Sequence, residues 1–139
     1  MTFLLDTMVV SEPAKPKRNA AVISWLDEQI ATDLAISVLT LGEIARGVAR
    51  MDDGNRKRRL RKWLTTELPA QFESRVLPVD REVAQTWGEL TAEADRAGRP
   101  LPVTDGLLLA TAKVHGLTLV TRNVDDLQDR GVGVLNPYR

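Results

Sequence analysis

"VTDGLLLATAKVHGLTLVTRN", residues 103–123, changes its period once along its length. From Leu107 to Val114 apolar residues recur at helical spacing, Gly116 is a residue suited to closing a helix, and "LTLVTRN" then opens with a short apolar run of strand character. A helix that feeds straight into a strand apolar on both faces is half of the repeating unit of a parallel sheet covered by helices. Working outward, the same alternation recurs. "TFLLD", "DLAISVLT" and "RVLPVD" read as further strands and "VGVLNP" as a short last one. Between them lie amphipathic helical stripes: Ala21, Val22, Trp25, Leu26 and Ile30; Leu41, Ile44, Ala45 and Val48; Leu60 to Leu68; and Val83, Ala84, Trp87, Leu90 and Ala94 ahead of Gly98. Pro13 and Pro16 mark a loop or a broken helix. The expectation is an α/β fold over residues 1–139 as one domain, a central and mostly parallel sheet of four to five strands flanked by helices.

Composition narrows the function classes. The chain has 139 residues and no cysteine, which excludes disulfides, thiolate metal sites and a cysteine nucleophile and fits a reducing compartment. No apolar run approaches the roughly 20 residues of a membrane span, and no basic stretch precedes an apolar one at the start, so the expectation is a cytoplasmic protein without a membrane segment. Nineteen basic residues balance nineteen acidic ones, so attraction to nucleic acid must come from local clustering. "RKRRLRK" supplies such a cluster: Arg56, Lys57, Arg58, Arg59, Arg61 and Lys62. It is either a solvated helix face or a ridge that contacts the phosphates of a polyanion.

In a parallel sheet, ligands bind outside the carboxyl ends of the strands. The sequence puts Asp6 after the first strand, Glu43 in the first helical turn after the second, and Asn123, Asp125 and Asp126 after the fourth. Asp105 opens a helix that returns to a parallel strand, so it starts at that same edge. Each residue has a plain structural role open to it. Thr40 and Glu43 have capping-box spacing, Thr104 or Asp105 can cap the helix after Pro102, and Asn123 can cap the next. Taken together they need more. Two carboxylates about 4 Å apart repel by about 4 kcal/mol at an effective dielectric of 20, a cost that capping alone does not require. The nearest cation of the chain's own is Arg46, one turn after Glu43, because Arg122 alternates with its neighbours along the strand and points away. Oxygen ligands without His or Cys suit Mg or Mn. The lone His115 stands about ten residues, roughly 15 Å, along its helix from Asp105 and is read as a helix C-terminal residue.

Carboxylates that hold Mg or Mn at a sheet edge serve phosphoryl chemistry. No "GxxxxGK[ST]" loop is present, which excludes a P-loop nucleotide hydrolase. Met8 stands where a haloacid-dehalogenase-like phosphatase has its second Asp, and the paired acid and late lysine of a receiver domain are missing.

The ordered set "LLDTMVVSE", "SVLTLGEIARGV", "RVLPVD", "GRPLPVTDGLLLATAKVHGLTLVTRNVDDL" and "VLNPY" resembles the PIN-domain ribonucleases, and closely the VapC/FitB-like toxins of type II toxin–antitoxin systems, from Phe3 to Tyr138. The resemblance implies a PIN-like three-layer sandwich and a Mg- or Mn-dependent endoribonuclease acting on RNA. It also implies a homodimer that forms a hetero-oligomer with a small cognate antitoxin, which keeps the enzyme inactive. Carried over by position, the family's acids fall on Asp6, Glu43 and Asp105 as metal ligands. The fourth position falls on Asn123, with Asp126 able to supply the carboxylate. Thr7 and Thr121 fall where the family has hydroxyl residues that support a carboxylate; as β-branched residues at strand ends they also have a purely structural reading. The family usually reads "LDTN" where this chain has "LDTM", so Met8 replaces an amide with a side chain that cannot donate a hydrogen bond. Loss of such a supporting group typically costs about 10–100-fold in metal affinity or activity. The alternative reading is a binding module of the same fold, its site weakened by Met8 and Asn123.

Overall fold

The computed structural model describes all 139 residues. Five parallel strands, β1 (Phe3–Leu5), β2 (Leu34–Ser37), β3 (Val76–Leu77), β4 (Thr118–Val120) and β5 (Val134–Leu135), form one sheet in the order β3-β2-β1-β4-β5. Each strand lies within the run expected of it, and each is shorter than that run. β2 stops at Ser37 because the Ser37 hydroxyl accepts the Leu39 N–H at 3.0 Å and starts a helix there, so Val38 to Thr40 are helical and not extended.

Strand residues alternate between two cores, as the pleat requires. Leu4, Ala35 and Leu119 face one side, packed with Leu90, Leu108 and Leu109 of α6 (Arg81–Arg96) and α7 (Val103–His115). Leu5, Ile36 and Val120 face the other, packed with Val9, Val22, Ile44, Val48 and Phe72. Those residues come from α1 (Thr7–Ser11), α2 (Ala20–Asp27), α3 (Val38–Ala49) and α5 (Leu68–Phe72). The result is the expected three-layer sandwich. Gly116, at φ 65 and ψ 36, closes α7 in the left-handed conformation, as its position predicted.

The Leu60–Leu68 stripe is less regular than its spacing suggests. α4 (Asn55–Lys62) widens into one π turn over Trp63–Glu67 before α5, with the Leu68 N–H bonding to the Trp63 carbonyl. Pro69 has no N–H to offer the preceding turn, which is the condition under which a helix relaxes in this way. No helix is long and apolar enough to cross a membrane.

Candidate active site

β1 sits at the centre of the sheet, with β2 on one flank and β4 on the other. Successive connections leave it in opposite directions, so its carboxyl end is the topological switch point of the sheet. The Leu5↔Val120 register makes Asp6 and Thr121 the next neighbours beyond the ladder, and the Asp6 N–H still bonds to the Val120 carbonyl at 2.9 Å. The Asp6 carboxylate is therefore fixed from two sides. Oδ1 accepts the Thr7 N–H at 2.6 Å, and Oδ2 accepts the hydroxyl of fully buried Thr121 at 2.7 Å. Asp6 caps α1 and faces the site at once. The Thr121 hydroxyl also accepts the Asn123 N–H at 3.2 Å, which shapes the corner after β4.

Glu43 reaches this corner from α3. Its Oε1 accepts the Thr7 hydroxyl at 2.6 Å, so Thr7 links the first two acids. Glu43 is the sixth residue of its helix, in the second turn rather than the first, because Ser37 caps α3 three residues earlier than a Thr40 cap would. Thr40 is no cap. It is fully buried on the same stripe as Ile44 and Val48, with its hydroxyl 3.3 Å from that of Thr7. The signal for it was a hydroxyl on an apolar stripe, masked by its capping-box spacing from Glu43.

Asp105 lies in the first turn of α7, whose N-cap is Pro102, and neither Thr104 nor Asp105 makes a capping hydrogen bond. α7 approaches α6 closely one residue later: a Cβ on Gly106 would stand 3.0 Å from both Cδ1 and Nε1 of Trp87. Burial, and then the negative charges of Asp6, Glu43 and Asp126, push the Asp105 carboxyl above the ordinary Asp range. Four acids from four segments thus share one electrostatic neighbourhood. Asn123 stands at the N-cap position of α8 (Val124–Leu127) without a side-chain cap bond. The Asp126 carbonyl accepts the Arg130 Nε–H at 2.9 Å, which ties α8 to the chain that follows.

None of these carboxylates pairs with a cation. The two ion pairs of the protein are Lys15–Glu12 and Lys57–Asp53, so Arg46 does not supply the expected counter-charge. The Arg122 guanidinium lies 4.7 Å over the Tyr138 ring and makes no ion pair. No three Asp, Glu or His side chains close around a single point. The donors are oxygens alone, Glu43 is exposed and long, and of the four acids Asp126 has a cation near it, Arg130, without an ion pair. Oxygen donors of this kind suit a hard divalent cation.

The C-terminal segment braces the same corner. Asn136 Nδ2–H donates to the Arg122 carbonyl at 3.4 Å, and the Tyr138 hydroxyl reaches Glu12 Oε2 at 3.4 Å. Glu12, only 2% exposed, also accepts the Asn19 N–H at 2.7 Å and pairs with Lys15 at 3.1 Å. Burial pushes its carboxyl up, but these partners outweigh it and hold Glu12 below the ordinary Glu range.

The basic run divides along α4. Lys57 pairs with Asp53, and Arg58 hydrogen-bonds Asn55. Arg56, Arg59, Arg61 and Lys62 are exposed and make no ion pair.

The profile of the PIN domain matches residues 3–131. Toxin FitB of Neisseria gonorrhoeae is 37% identical over 135 residues, 97% of each chain. VapC ribonuclease Y4jK of Sinorhizobium fredii is 33% identical over 135 residues, 97% of this chain and 96% of its own. The crystal structure of FitAcB from Neisseria gonorrhoeae superposes with a TM-score of 0.94 at 36% identity, covering 99% of both chains. With a sheet of this order and a match of this extent, the chain belongs to the PIN-domain family, among the FitB- and VapC-like proteins.

Proposed function

We propose that this protein is the toxin of a type II toxin–antitoxin module, a metal-dependent endoribonuclease that hydrolyses RNA phosphodiester bonds at the acidic corner. The observation that carries the reading is the meeting of Asp6, Glu43, Asp105 and Asp126 at the switch point of the sheet with none of them in an ion pair. Asp6 and Asp105 are the direct ligands of Mg or Mn. Glu43 is a ligand or the group that orients the attacking water. Asn123 and Asp126 form the outer side of the site. Thr7 and Thr121 hold the carboxylates of Glu43 and Asp6 in place, so that these oxygens are aimed before substrate arrives. A bound divalent ion supplies polarisation of the phosphate and a more acidic water. The nuclease and toxin assignments draw support from the relatives named VapC ribonuclease and Toxin FitB. A small cognate antitoxin and assembly as a homodimer within a hetero-oligomer complete the reading.

Mapping of new 5′ ends in total RNA after a brief pulse of expression tests it. The wild type should produce discrete ends that Asp6→Ala lacks; identical ends in both would remove the assigned site. Harmless expression, with no cleavage of any RNA in Mn, would assign the chain to the binding-module reading.

A further inference from the structure

Two arginines converge on the backbone of Asp126, the acid that α8 brings to the corner. Arg130 donates from Nε to the Asp126 carbonyl at 2.9 Å and from Nη1 to the Arg99 carbonyl at 3.0 Å, and Arg99 Nη2 reaches the same Asp126 oxygen at 3.5 Å. Like charges are thus held together by neutral acceptors. Neither guanidinium makes an ion pair, and Nη2 of Arg130 with Nε and Nη1 of Arg99 have no protein partner. Arg130 is half-buried and Arg99 exposed, and both line a hollow of about 150 Å³ between the end of α6 and the segment after α8, with Leu90, Ala94 and Leu101 as its apolar wall. Glu93 and Asp129 also line it but pair with neither arginine. Burial, and then the charge of Arg99, hold the Arg130 guanidinium below the ordinary arginine range, and Asp126 only partly offsets them.

We propose that Arg99 and Arg130 form a phosphate subsite, which holds a backbone phosphate of the RNA beyond the bond that is cut. The proposal rests on the nuclease reading for the position of that bond. Guanidiniums with unused N–H groups present the planar fork that phosphate oxygens accept, and a phosphate bound there relieves the repulsion between the two arginines. The placement favours substrate. The Asp126 carbonyl that anchors the pair belongs to the same residue whose carboxylate acts on Asp105, so the arginines stand one residue from the acidic corner. An RNA strand entering that corner is repelled by its carboxylates, and the pair supplies positive charge at its border. An acidic segment of a protein partner has no such reason to lie beside the reacting bond.

Arg99 provides the test, because its side chain is exposed and its one hydrogen bond is the long one at 3.5 Å, so Arg99→Gln should fold and melt as the wild type does. Binding of a short single-stranded RNA is measured on the full chain in EDTA, by fluorescence anisotropy at several salt concentrations. Arg99→Gln should weaken binding about tenfold and lower the slope of log affinity against log salt by about 0.7, the share of one phosphate contact on a single strand. Arg99→Lys keeps the charge and should retain that slope. A scan that replaces one phosphate at a time with a neutral methylphosphonate should find a position that weakens wild-type binding and leaves Arg99→Gln unaffected. In Mn the loss should appear in KM more than in kcat. Wild-type affinity and salt slope in Arg99→Gln overturn the subsite, as does a methylphosphonate penalty that is the same in the wild type and Arg99→Gln at every position. So does an Arg99→Gln protein that loses only its complex with the antitoxin, which would give the pair to a protein partner. RNA held through Arg99 by a wild type that cleaves nothing in Mn would overturn the nuclease reading and leave the subsite standing.

Discussion

Asp105 carries a proton more tightly in the folded chain than in the unfolded one, because burial and three facing carboxylates disfavour its charge. Its folded value is raised, so stability falls as pH rises from the ordinary Asp value of 3.8 through the raised one, and it stays lowered above that. Asp105→Asn should therefore melt higher than the wild type in EDTA at neutral pH and lose that advantage below about pH 3.5. Added Mg or Mn should raise the wild-type midpoint and leave the variant's unchanged; equal midpoints at neutral pH would contradict the clustering of charge. Thr121→Val keeps a buried β-branched side chain but removes the donor to Asp6 Oδ2, and should lower metal affinity and cleavage by about 10–100-fold with folding intact. Thr121→Ser should restore most of it. Met8 is 44% exposed beside this corner and offers no hydrogen bond, so Met8→Asn should raise cleavage by up to about tenfold. Unchanged activity would mean that the two hydrogen bonds on Asp6 suffice. Asp6, Asp105 and the "TRN" corner were legible because acids at helix starts stand out in a sequence. Thr40 and the Glu12–Tyr138 link were not, since Thr40 meets Thr7 across 33 residues and Tyr138 meets Glu12 across 126.

The α6–α7 pair is the element contact on which the site leans most. Trp87 fills the space left by the missing Cβ of Gly106, one residue from Asp105. Gly106→Ala should cost about 1–3 kcal/mol through overpacking, and it should reduce cleavage further than that loss alone, because the first turn of α7 must shift. Trp87→Leu in the same chain should recover part of the stability, measured by urea denaturation; an unaffected single variant would show that Trp87 can turn aside. All five strands and the longer helices between them were visible as changes of hydrophobic period; the five-residue α1 was not, and α2 stops at Asp27, short of Ile30. Their limits were not. "AISVLT" is apolar and β-branched throughout, so only the Ser37 cap, a tertiary outcome, decides where strand gives way to helix. The π turn likewise required knowing that the helix continues past Pro69.

Across the molecule, Glu12 and Tyr138 join segments 126 positions apart, with Arg122 stacked on the Tyr138 ring. The folded value of Glu12 is lowered, so its contribution to stability is present above the ordinary Glu value of 4.5 and is lost as pH falls through the folded one. Glu12→Gln should cost about 1–2 kcal/mol at neutral pH, with the difference from the wild type closing in acid. A pH-independent difference would mean that shape and not charge holds the link. The layered α/β class was legible from the alternation of helices and apolar strands, but the strand order was not, because short strands apolar on both faces carry no mark of their neighbours. That order sets when the site comes into being. Asp6 and the hydroxyl that holds it are 115 positions apart, so a ribosome adding roughly 5–20 residues per second separates their appearance by roughly 6–23 s. For that interval every new copy is a chain without a site, and whatever chemistry the corner performs begins only once β4 and the residue after it have been made.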